Sequence, residues 1–404
     1  MIKYTDLRNL IIKSIGNDTD KLAYITHYLQ NPDSEYYKTG EELLRECGII
    51  VDTKKIDWNI PFFVDKKPKF KFIDLFAGIG GVRLAFQNLG GKSVFSSEWD
   101  MNAQITYETN YGEVPFGDIT KIDEKNVPDH DVLLAGFPCQ AFSIAGRRKG
   151  FEDTRGTLFF EVARIIKEKK PKAFFLENVK GLINHDKGRT LKTILEVLRN
   201  DLGYYVPDPE TLNAKNFGVP QKRERIYIVG FSEETKIKEF IYPKGEETKK
   251  RFIDIREKSE VSPRYYLSNV YLETLRRHRQ RHEDKGNGFG FEIIKDDEIA
   301  NTIVVGGMGR ERNLVIDKRL TNFKPETNIK GEINKEGIRK MTPREWARLQ
   351  GLPDEFIVEN KENGRKISAT QAYKQLGNSV AVPAVEAMGR EIIKKLVEAG
   401  IINE

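Results

Sequence analysis

The sequence has few of the residues that build disulfide frameworks and metal sites. Only two of its 404 residues are cysteines, Cys47 and Cys139. Two cysteines are too few for a disulfide framework or a thiolate metal site, which indicates a reducing compartment. The sequence also lacks an apolar run approaching the ~20 residues of a membrane span, and its N-terminus lacks a signal-peptide core. We therefore expect a cytoplasmic protein that holds no metal.

Charge of either sign is not in large excess. The 67 lysines and arginines and the 61 aspartates and glutamates leave a net charge of +6. For a chain of this length, that balance permits a nucleic-acid partner without requiring one. The hydrophobic content of 39% and the charged content of 32% are ordinary for a soluble globular protein. The length allows a large core and predicts more than one domain.

What the sequence does contain is a cysteine just after a predicted strand. Residues 131–135 form a short apolar run that indicates a buried strand, and Cys139 follows in Gly-Phe-Pro-Cys. A buried, inert thiol is the ordinary alternative. However, Arg147 and Arg155 in the polar loop that follows indicate exposure and a positive field, which lowers a thiol pKa. At the carboxyl edge of an open α/β sheet, this cysteine is a candidate nucleophile.

A glycine-rich turn indicates a ligand site. Residues 70–76 predict a strand, and residues 77–81 (Ala-Gly-Ile-Gly-Gly) predict a tight turn before a helix. The pattern departs from the dinucleotide fingerprint, whose third glycine would fall at Arg83. The next predicted strand, residues 93–97, ends at Glu98. An acidic residue about 20 positions beyond such a turn holds a ribose diol in folds of this kind.

Two residues near this turn suit an adenosine-type ligand. Trp99 offers a ring on which adenine can stack, and Asp118 offers a carboxylate to the exocyclic amine. Each has a structural alternative, because Trp99 is also a typical core residue and Asp118 a typical helix N-cap. The residues alone leave these alternatives open.

Two further strand ends carry charged residues. Residues 172–179 predict a buried strand that ends with Glu177 and Asn178. An acid at this place can protonate a ring nitrogen, or it can cap the next helix. In the later Gln-Lys-Arg-Glu-Arg segment, strand alternation places Arg223 and Arg225 on one face. The alternative is a solvated edge strand blunted by charge.

Taken in order, these motifs resemble those of the DNA (cytosine-5) methyltransferases of bacterial restriction–modification systems, most closely the Dcm-like branch. The resemblance covers residues 70–400. It rests on Phe-Ala-Gly-Ile-Gly-Gly, Glu-Trp, Gly-Asp-Ile-Thr, Pro-Cys-Gln, Glu-Asn-Val, Gln-x-Arg-x-Arg and Gly-Asn-Ser-Val-x-x-Pro. It implies an α/β fold with a doubly wound, Rossmann-like sheet that binds S-adenosylmethionine. It also implies a smaller target-recognition domain beside that sheet.

The resemblance implies a mechanism as well. Cys139 would attack C6 of a cytosine flipped out of the duplex, so that C5 can take the methyl group. Glu177 would serve N3 of the ring, and Asn178 would orient Glu177. Arg223 and Arg225 would hold the base, a phosphate and Glu177. The remaining catalytic candidates are Pro138 and Gln140.

The implied binding residues form two groups. Those for S-adenosylmethionine are Phe76, Ala77, Gly78, Ile79, Gly80, Gly81, Glu98, Trp99, Asp118, Ile119, Asn378 and Ser379. Those for double-stranded DNA are Ser143, Arg147, Arg155, Arg310 and Arg312. Arg147 and Arg155 lie in the loop of residues 146–156, which can close over the base, and Ser143 lies just before it. Arg310 and Arg312 lie in a glycine-rich segment suited to reading guanine edges.

The domain organisation follows from these motifs. We expect residues 1–66 to be an N-terminal helical extension and residues 67–231 to be the catalytic and cofactor-binding domain, completed by residues 370–404. Residues 232–369 would form the target-recognition domain and hinge. In the extension, a capping-box pattern at Thr39 predicts a helix start. The extension is either a small DNA-binding helix-turn-helix or a packing element.

Other functions and ligands compete with this interpretation. A tRNA cytosine-5 methyltransferase would lack the large recognition region, and a DNA-binding regulator on a methyltransferase fold would not need Cys139 or Glu177. His278 and His282 have the spacing of helical zinc ligands, but no third ligand is near them in sequence. The function expected is site-specific methylation of cytosine C5 in double-stranded DNA. We expect a monomer whose genetic partner is a restriction endonuclease.

Overall fold

The computed structural model describes residues 1–64, 67–138, 158–306, 309–326, 330–359 and 367–403. Cys139, Gln140, Ser143, Arg147 and Arg155 lie outside the described residues. Their proposed roles therefore stay predictions. None of the described helices is both long and apolar enough to cross a membrane.

Strands and helices alternate through the first half of the described chain. The strands are β1 (Ile2–Lys3), β2 (Ile56–Asp57), β3 (Phe70–Leu75), β4 (Gly91–Ser97), β5 (Val132–Gly136), β6 (Ala173–Val179), β7 (Glu210–Asn213), β8 (Gln221–Lys222), β9 (Glu224–Phe231), β10 (Ile293–Ile294), β11 (Ala300–Asn301), β12 (Leu314–Ile316) and β13 (Ile338–Lys340). The helices are α1 (Tyr4–Ile15), α2 (Thr19–Gln30), α3 (Lys38–Glu46), α4 (Gly81–Asn88), α5 (Met101–Tyr111), α6 (Leu158–Lys169), α7 (Arg189–Glu196), α8 (Phe252–Ile255), α9 (Asn269–Glu283), α10 (Pro343–Leu349), α11 (Ala369–Asn378) and α12 (Val382–Glu398).

A six-stranded sheet in the order β4-β3-β5-β6-β9-β7 forms the centre of the molecule. β3 pairs in parallel with β4 and β5, and β5 pairs in parallel with β6. β9 runs antiparallel to both β6 and β7. β4 and β5 lie on opposite sides of β3, so the strand order reverses at β3. Ligands bind at the carboxyl ends of strands beside such a reversal. The predicted α/β fold with a Rossmann-like sheet is confirmed.

Apolar residues on both faces of the sheet are covered. On one face, Phe72, Leu134 and Phe175 share a buried core with α4 and α12. On the other face, Leu133 and Phe174 share a second core with α6 and with helices of the N-terminal extension. Because successive strand residues point to opposite faces, strands that are buried on both sides have continuous apolar runs.

The predicted strands match β3, β4, β5 and β6 within two residues at each end. The helix predicted near Thr39 is present as α3, which begins at Lys38, but the predicted capping box is wrong because the start of α3 has no side-chain cap. Gly40 serves packing at this place. A Cβ on it would lie 2.3 Å from the carbonyl oxygen of Tyr24 in α2.

The N-terminal helices pack on the central sheet. α2 buries Leu22, Ile25 and Leu29 in the same core as β4. The hydroxyl of Tyr37 donates a hydrogen bond to a backbone carbonyl of β4, the strand at the sheet edge. Residues 1–64 contain ten acidic and eight basic residues, a charge that opposes phosphate binding. The extension therefore packs on the sheet, and its alternative role in DNA binding stays a prediction.

A smaller sheet of β10, β12 and β13 lies after the central sheet in sequence. Asp317, just after β12, is buried and pairs with Arg256 at 2.9 Å and with Arg339 of β13 at 3.0 Å. Arg339 also pairs with Glu345 of α10 at 2.7 Å. Glu345 and Thr342 form a capping box at the start of α10. This buried network fastens the smaller sheet to α10, within the residues 232–369 that were expected to form the target-recognition domain and hinge.

Candidate active site

A cavity of about 840 Å³ opens where β3, β4, β5 and β6 end. Its walls include the glycine turn after β3 and the C-terminal end of α11. The predicted site residues that line it are Phe76, Ala77, Gly78, Ile79, Gly81, Glu98, Trp99, Asp118, Ile119, Pro138, Glu177, Asn178, Arg225, Asn378 and Ser379. The structure therefore brings most of the described cofactor and catalytic candidates to one cavity.

The turn after β3 has a geometry that only glycine satisfies. Gly80 has a φ of 84°, in the left-handed region. A Cβ on Gly80 would lie 2.3 Å from the ring of Tyr111, and one on Gly81 would lie 2.9 Å from Oγ of Ser379. Phe76 has a φ of 57° although it carries a side chain. Backbone strain of this kind collects at ligand sites.

Glu98, at the end of β4, holds this turn in place. Its Oε2 accepts the backbone N–H of Gly78 at 2.8 Å, and its Oε1 accepts the backbone N–H of Asp100 at 2.8 Å. Burial raises the pKa of Glu98, and the two N–H groups oppose that rise. The carboxylate is thus fixed at the cavity wall, about 20 residues beyond the turn, where a ribose diol is held in such sheets.

Trp99 was a candidate core residue and Asp118 a candidate helix N-cap, and only the second of these alternatives holds. The Trp99 side chain is 78% exposed and lines the cavity, so it is not a core residue. Asp118 does cap a short helical turn, because its Oδ1 accepts the backbone N–H of Thr120 at 3.1 Å. Asp118 nevertheless lines the cavity too. An exposed indole and a carboxylate supply the flat apolar surface and the acceptor that an adenine ring can use.

Glu177 is the buried acid of the cavity wall. Its Oε1 lies 3.0 Å from Nε of Arg225 in β9. In the sheet, Glu177 pairs with Gly136, three residues before Cys139. Burial raises the pKa of Glu177, whereas Arg225 and Arg223 lower it, and the net pKa is above the ordinary value. The site therefore favours a carboxyl group that keeps its proton more readily than an exposed glutamate.

Asn178 connects the end of β6 to the peptide before the candidate nucleophile. Its Nδ2 donates to the carbonyl of Phe137 at 2.8 Å, and its Oδ1 accepts the N–H of Val179 at 2.8 Å. Phe137 lies two residues before Cys139, so Asn178 fixes the backbone that leads to the cysteine. The helical turn after β6 has no side-chain cap. The structure therefore gives no support to the alternative that Glu177 is only a cap.

Arg223 does not face the cavity together with Arg225. The strand is interrupted at Arg223, between β8 and β9. Its buried guanidinium donates to the carbonyls of Ile303 at 2.9 Å and Gly377 at 3.2 Å, and also to that of Ser379. Burial lowers the pKa of Arg223 to about 9. The pairing expected from alternation requires an unbroken strand, and the interruption turns this side chain into the protein.

Two residues that the sequence analysis did not name join α11 to α5 at the cavity. Lys374 donates to Oδ2 of Asp100 at 2.6 Å. Gln375 donates to the carbonyl of Asn102 at 2.8 Å and accepts from the hydroxyl of Thr106 at 2.8 Å. Lys374 and Gln375 also line the cavity. The sequence signal for them is their position just before Gly-Asn-Ser-Val, once that segment is known to be helical.

The two described candidates for DNA contact lie elsewhere. Neither Arg310 nor Arg312 lines the cavity. The guanidinium of Arg310 lies 5.3 Å from the ring centroid of Tyr373, and Arg312 pairs with Glu292 at 3.3 Å. Their roles in DNA binding stay predictions. A second opening of about 430 Å³ beside Arg225 is lined by Lys180, Asn213, Lys215, Lys222, Glu224, Arg225 and Thr302.

The histidine pair on α9 is His278 and His282, which had the spacing of helical zinc ligands. The rings of His278 and His282 lie 4.6 Å apart between centroids. Within the described ranges, no group of three or more His, Cys, Asp or Glu residues is arranged to hold a metal ion.

The chain is similar to known proteins over most of its length. The model of the C-5 cytosine-specific DNA methylase family matches residues 70–394. The type II methyltransferase M.HpaII of Haemophilus parainfluenzae is 66% identical over 332 residues, which cover 82% of this chain and 91% of that protein. The type II methyltransferase M1.ScrFI of Lactococcus lactis subsp. cremoris is 48% identical over 340 residues, or 83% of this chain and 81% of that protein.

Solved structures agree on the fold. The Dnmt2 methyltransferase of S. pombe matches with a TM-score of 0.58 and 20% identity, over 81% of this chain and 98% of that one. The methyltransferase EhMeth of Entamoeba histolytica matches with a TM-score of 0.60 and 18% identity, over 82% of this chain and 99% of that one. Together with the family match over the whole central sheet, these findings show that the chain belongs to the C-5 cytosine-specific DNA methylase family.

Proposed function

We propose that this chain transfers the methyl group of S-adenosylmethionine to C5 of a cytosine at one specific site in double-stranded DNA, with Cys139 as the nucleophile. Relatives that share 66% and 48% of the aligned residues are type II methyltransferases. We further propose that it is the protective half of a restriction–modification pair whose genetic partner is an endonuclease, and that it works as a cytoplasmic monomer.

The cavity residues fit S-adenosylmethionine. The glycine turn brings backbone close to a ligand without the full dinucleotide fingerprint, which suits a nucleoside with no pyrophosphate. Glu98 is held where it can bind the ribose, and Trp99 and Asp118 suit the adenine. Asn378 and Ser379, at the end of α11, would meet the methionine end of the cofactor. When bound, S-adenosylmethionine supplies an electrophilic methyl group.

The described residues support a covalent mechanism on the cytosine ring. The Cys139 thiolate would add to C6, which makes C5 nucleophilic enough to take the methyl group. Glu177 would hold a proton at N3 while negative charge develops on the ring. A water molecule would then take the C5 proton while the C6–sulfur bond breaks, which restores both the thiolate and the aromatic ring. Because C5 and C6 are enclosed in a stacked duplex, the base must first be flipped out.

The neighbouring residues would position this chemistry. Arg225, beside Glu177, would hold the carboxyl group and contact the flipped nucleotide. Asn178 would fix the peptide before Cys139. Arg223 would act indirectly, through its bonds to the backbone at Gly377 and Ser379. These assignments leave Pro138 and Gln140 beside the nucleophile as shaping residues.

The proposal divides the chain as the motifs suggest. The catalytic domain of residues 67–231 would be completed by residues 370–404. The packing of α12 against α4 supports this, since a Cβ on Gly389 would lie 2.8 Å from a side-chain atom of Leu89. Residues 232–369, with the small sheet and α10, would form the target-recognition domain and hinge. Arg310 and Arg312 would lie within its reading surface.

The observation that carries the proposal is the register of β5 against β6. It pairs Gly136 with Glu177, so the chain leaves the sheet toward Cys139 beside a buried acid and in the same cavity as the glycine turn. Bisulfite sequencing of a plasmid from cells that express the protein tests it. We expect protected cytosines within one short recurring sequence, and none with C139S. A plasmid without protected cytosines, or one protected equally by C139S, would contradict the proposal.

A further inference from the structure

A buried cluster of charged side chains connects the N-terminal extension to the cofactor half of the sheet. His27 of α2 and Glu113, just after α5, have fully buried side chains. Nε2 of His27 lies 3.3 Å from Oε1 of Glu113, and Nδ1 lies 2.8 Å from the carbonyl oxygen of Ala23. The same Oε1 accepts from Arg83 of α4 and from the hydroxyl of Ser96 in β4, each at 2.9 Å.

The contacts of His27 fix its ring between α2 and Glu113. A carbonyl oxygen only accepts, so Nδ1 donates to that of Ala23. Nε2 then faces Oε1 of Glu113 at 3.3 Å, within ion-pair distance, although Nε2 makes no hydrogen bond among the described residues. Burial raises the pKa of Glu113, but Arg83 and His27 lower it more strongly, to about 2.

Glu113 bonds to residues that lie next to two parts of the cavity wall in the sequence. Ser96 lies two residues before Glu98 in the same strand segment. Arg83 follows the glycine turn by two residues, and its guanidinium lies 4.6 Å from the ring centroid of Tyr111. The hydroxyl of Tyr111 donates to the carbonyl of Gly80 within the turn at 2.7 Å. A displacement of the Glu113 carboxylate would therefore also displace the glycine turn and the strand that precedes Glu98.

Further bonds hold the extension against this same region. The hydroxyl of Thr26 accepts the backbone N–H of Val114 at 2.9 Å. Gln30 donates to the carbonyl of Tyr111 at 2.7 Å, and the amine of Lys92 in β4 donates to the carbonyl of Gln30 at 2.8 Å. Residues 1–64 precede the stretch matched by the family model, which begins at residue 70. The family match therefore does not account for this support.

We propose that the N-terminal extension is a built-in support for the S-adenosylmethionine site, with His27 as its positioning residue. This inference rests on the proposed function, because it assigns a role toward the proposed cofactor. Through Glu113, His27 holds the glycine turn and the Glu98 strand in their binding geometry. Loss of His27 weakens cofactor binding more than it affects DNA binding or the chemical step.

The test compares three variants of the full-length chain. H27F removes the ion pair and keeps an aromatic ring beside Phe116 and Tyr37, which contact His27. H27Q keeps an amide N–H that can face Glu113. H130F is the matched control, because His130 is also buried and its Nδ1 also lies 2.8 Å from a backbone carbonyl. Nε2 of neither histidine has a hydrogen-bond partner among the described residues, but only His27 has an ion-pair contact with a carboxylate, that of Glu113 at 3.3 Å.

The readouts are the Kd for S-adenosylmethionine by calorimetry, the KM for a DNA substrate, kcat and the melting temperature. We expect H27F to raise the cofactor Kd by about tenfold, within the usual range of coupling between sites. H27Q should recover most of that loss, and the KM for DNA should stay within about twofold. H130F should lower the melting temperature without changing the cofactor Kd. In the E113Q background, H27F should add little further loss.

The outcomes separate this inference from the proposed function. A wild-type protein that binds no S-adenosylmethionine overturns both. A wild-type protein that binds the cofactor, with an unchanged Kd in H27F and H27Q, overturns only the role of His27. An equal loss of cofactor affinity in H27F and H130F would also overturn it, because the effect would then be general destabilisation. If H27F does not fold, H27L against H130L decides by the same criteria.

Discussion

The carboxyl group of Glu177 is subject to two opposed effects. Burial raises its pKa, and the guanidinium of Arg225 at 3.0 Å lowers it. A group that must hold a proton for a cytosine ring benefits from the first effect, while the second keeps it from becoming permanently neutral. At the scale of residues, the acid and its arginine therefore form one unit in the proposed chemistry.

Replacing Arg225 by glutamine should shift the pH dependence of kcat. Without the cation of Arg225, burial is opposed only by the charge of Arg223, and the pKa of Glu177 rises. The protonated carboxyl is the active form in our proposal, so activity falls as pH rises through that pKa. We therefore expect the alkaline limb of the kcat profile to move to higher pH in R225Q. K222Q, at an exposed basic position nearby, is the control. An alkaline limb that stays in place, or moves to lower pH, would contradict the role of Glu177.

At the scale of elements, α11 connects two walls of the cavity through its contacts with the start of α5. Lys374 pairs with Asp100, which caps the start of α5 through its bonds to the N–H groups of Asn102 and Ala103. Asp100 also follows Trp99, the exposed ring proposed for adenine. Burial raises the pKa of Asp100, but Lys374 and the backbone lower it below the ordinary value. The ion pair thus holds the end of α11 close to the strand that presents Trp99.

Breaking this ion pair should speed release of the cofactor. Partly exposed ion pairs contribute up to ~1 kcal/mol, so K374Q should raise the dissociation rate of S-adenosylmethionine by up to about fivefold. K374R keeps the charge and should stay near the wild-type rate. Stopped-flow measurement of tryptophan fluorescence follows the event, because Trp99 is exposed at the cavity. Equal dissociation rates for K374Q and the wild type would show that the Lys374–Asp100 ion pair does not slow release of the cofactor.

The comparison of sequence and structure shows which elements local patterns can specify. The strands that form the cavity are buried on both faces, so their apolar runs and the residues that end them identify the site. The direction of the Arg223 side chain could not be predicted from the alternation of strand residues, because that alternation assumes an unbroken strand. The helix α3 was predicted, but its capping box does not form, and Gly40 within that pattern packs against the carbonyl of Tyr24 in α2. Such long-range contacts leave no periodic signal in the sequence.

The pairing of segments far apart in sequence is likewise absent from local patterns. Lys374 and Asp100 are 274 residues apart, and their ion pair depends on the return of the C-terminal helices to the first sheet. The contact of His27 with Glu113 depends on the docking of the extension. Motif resemblance indicated Asn378 and Ser379 because a family pattern includes long-range constraints that a single sequence does not display.

At the scale of the whole molecule, one cavity joins parts from three regions of the chain. The turn after β3 and the end of β4 supply the proposed cofactor contacts, and β6 and β9 supply the acid and its arginine. The C-terminal helices close the wall at Asn378, while the extension supports the sheet from outside. This arrangement explains why a chain with a net charge of only +6 can be a DNA enzyme. Its function depends on a local site and not on overall charge.

The central claim is a transient covalent bond between Cys139 and a flipped cytosine. A duplex with 5-fluorocytosine at the methylated position tests it most directly, because fluorine at C5 blocks the proton loss that releases the enzyme. With S-adenosylmethionine present, we expect a denaturation-resistant protein–DNA adduct with the wild type and with C47S, which removes the only other cysteine. We expect none with C139S. An adduct that persists in C139S, or its absence in the wild type, would contradict the account.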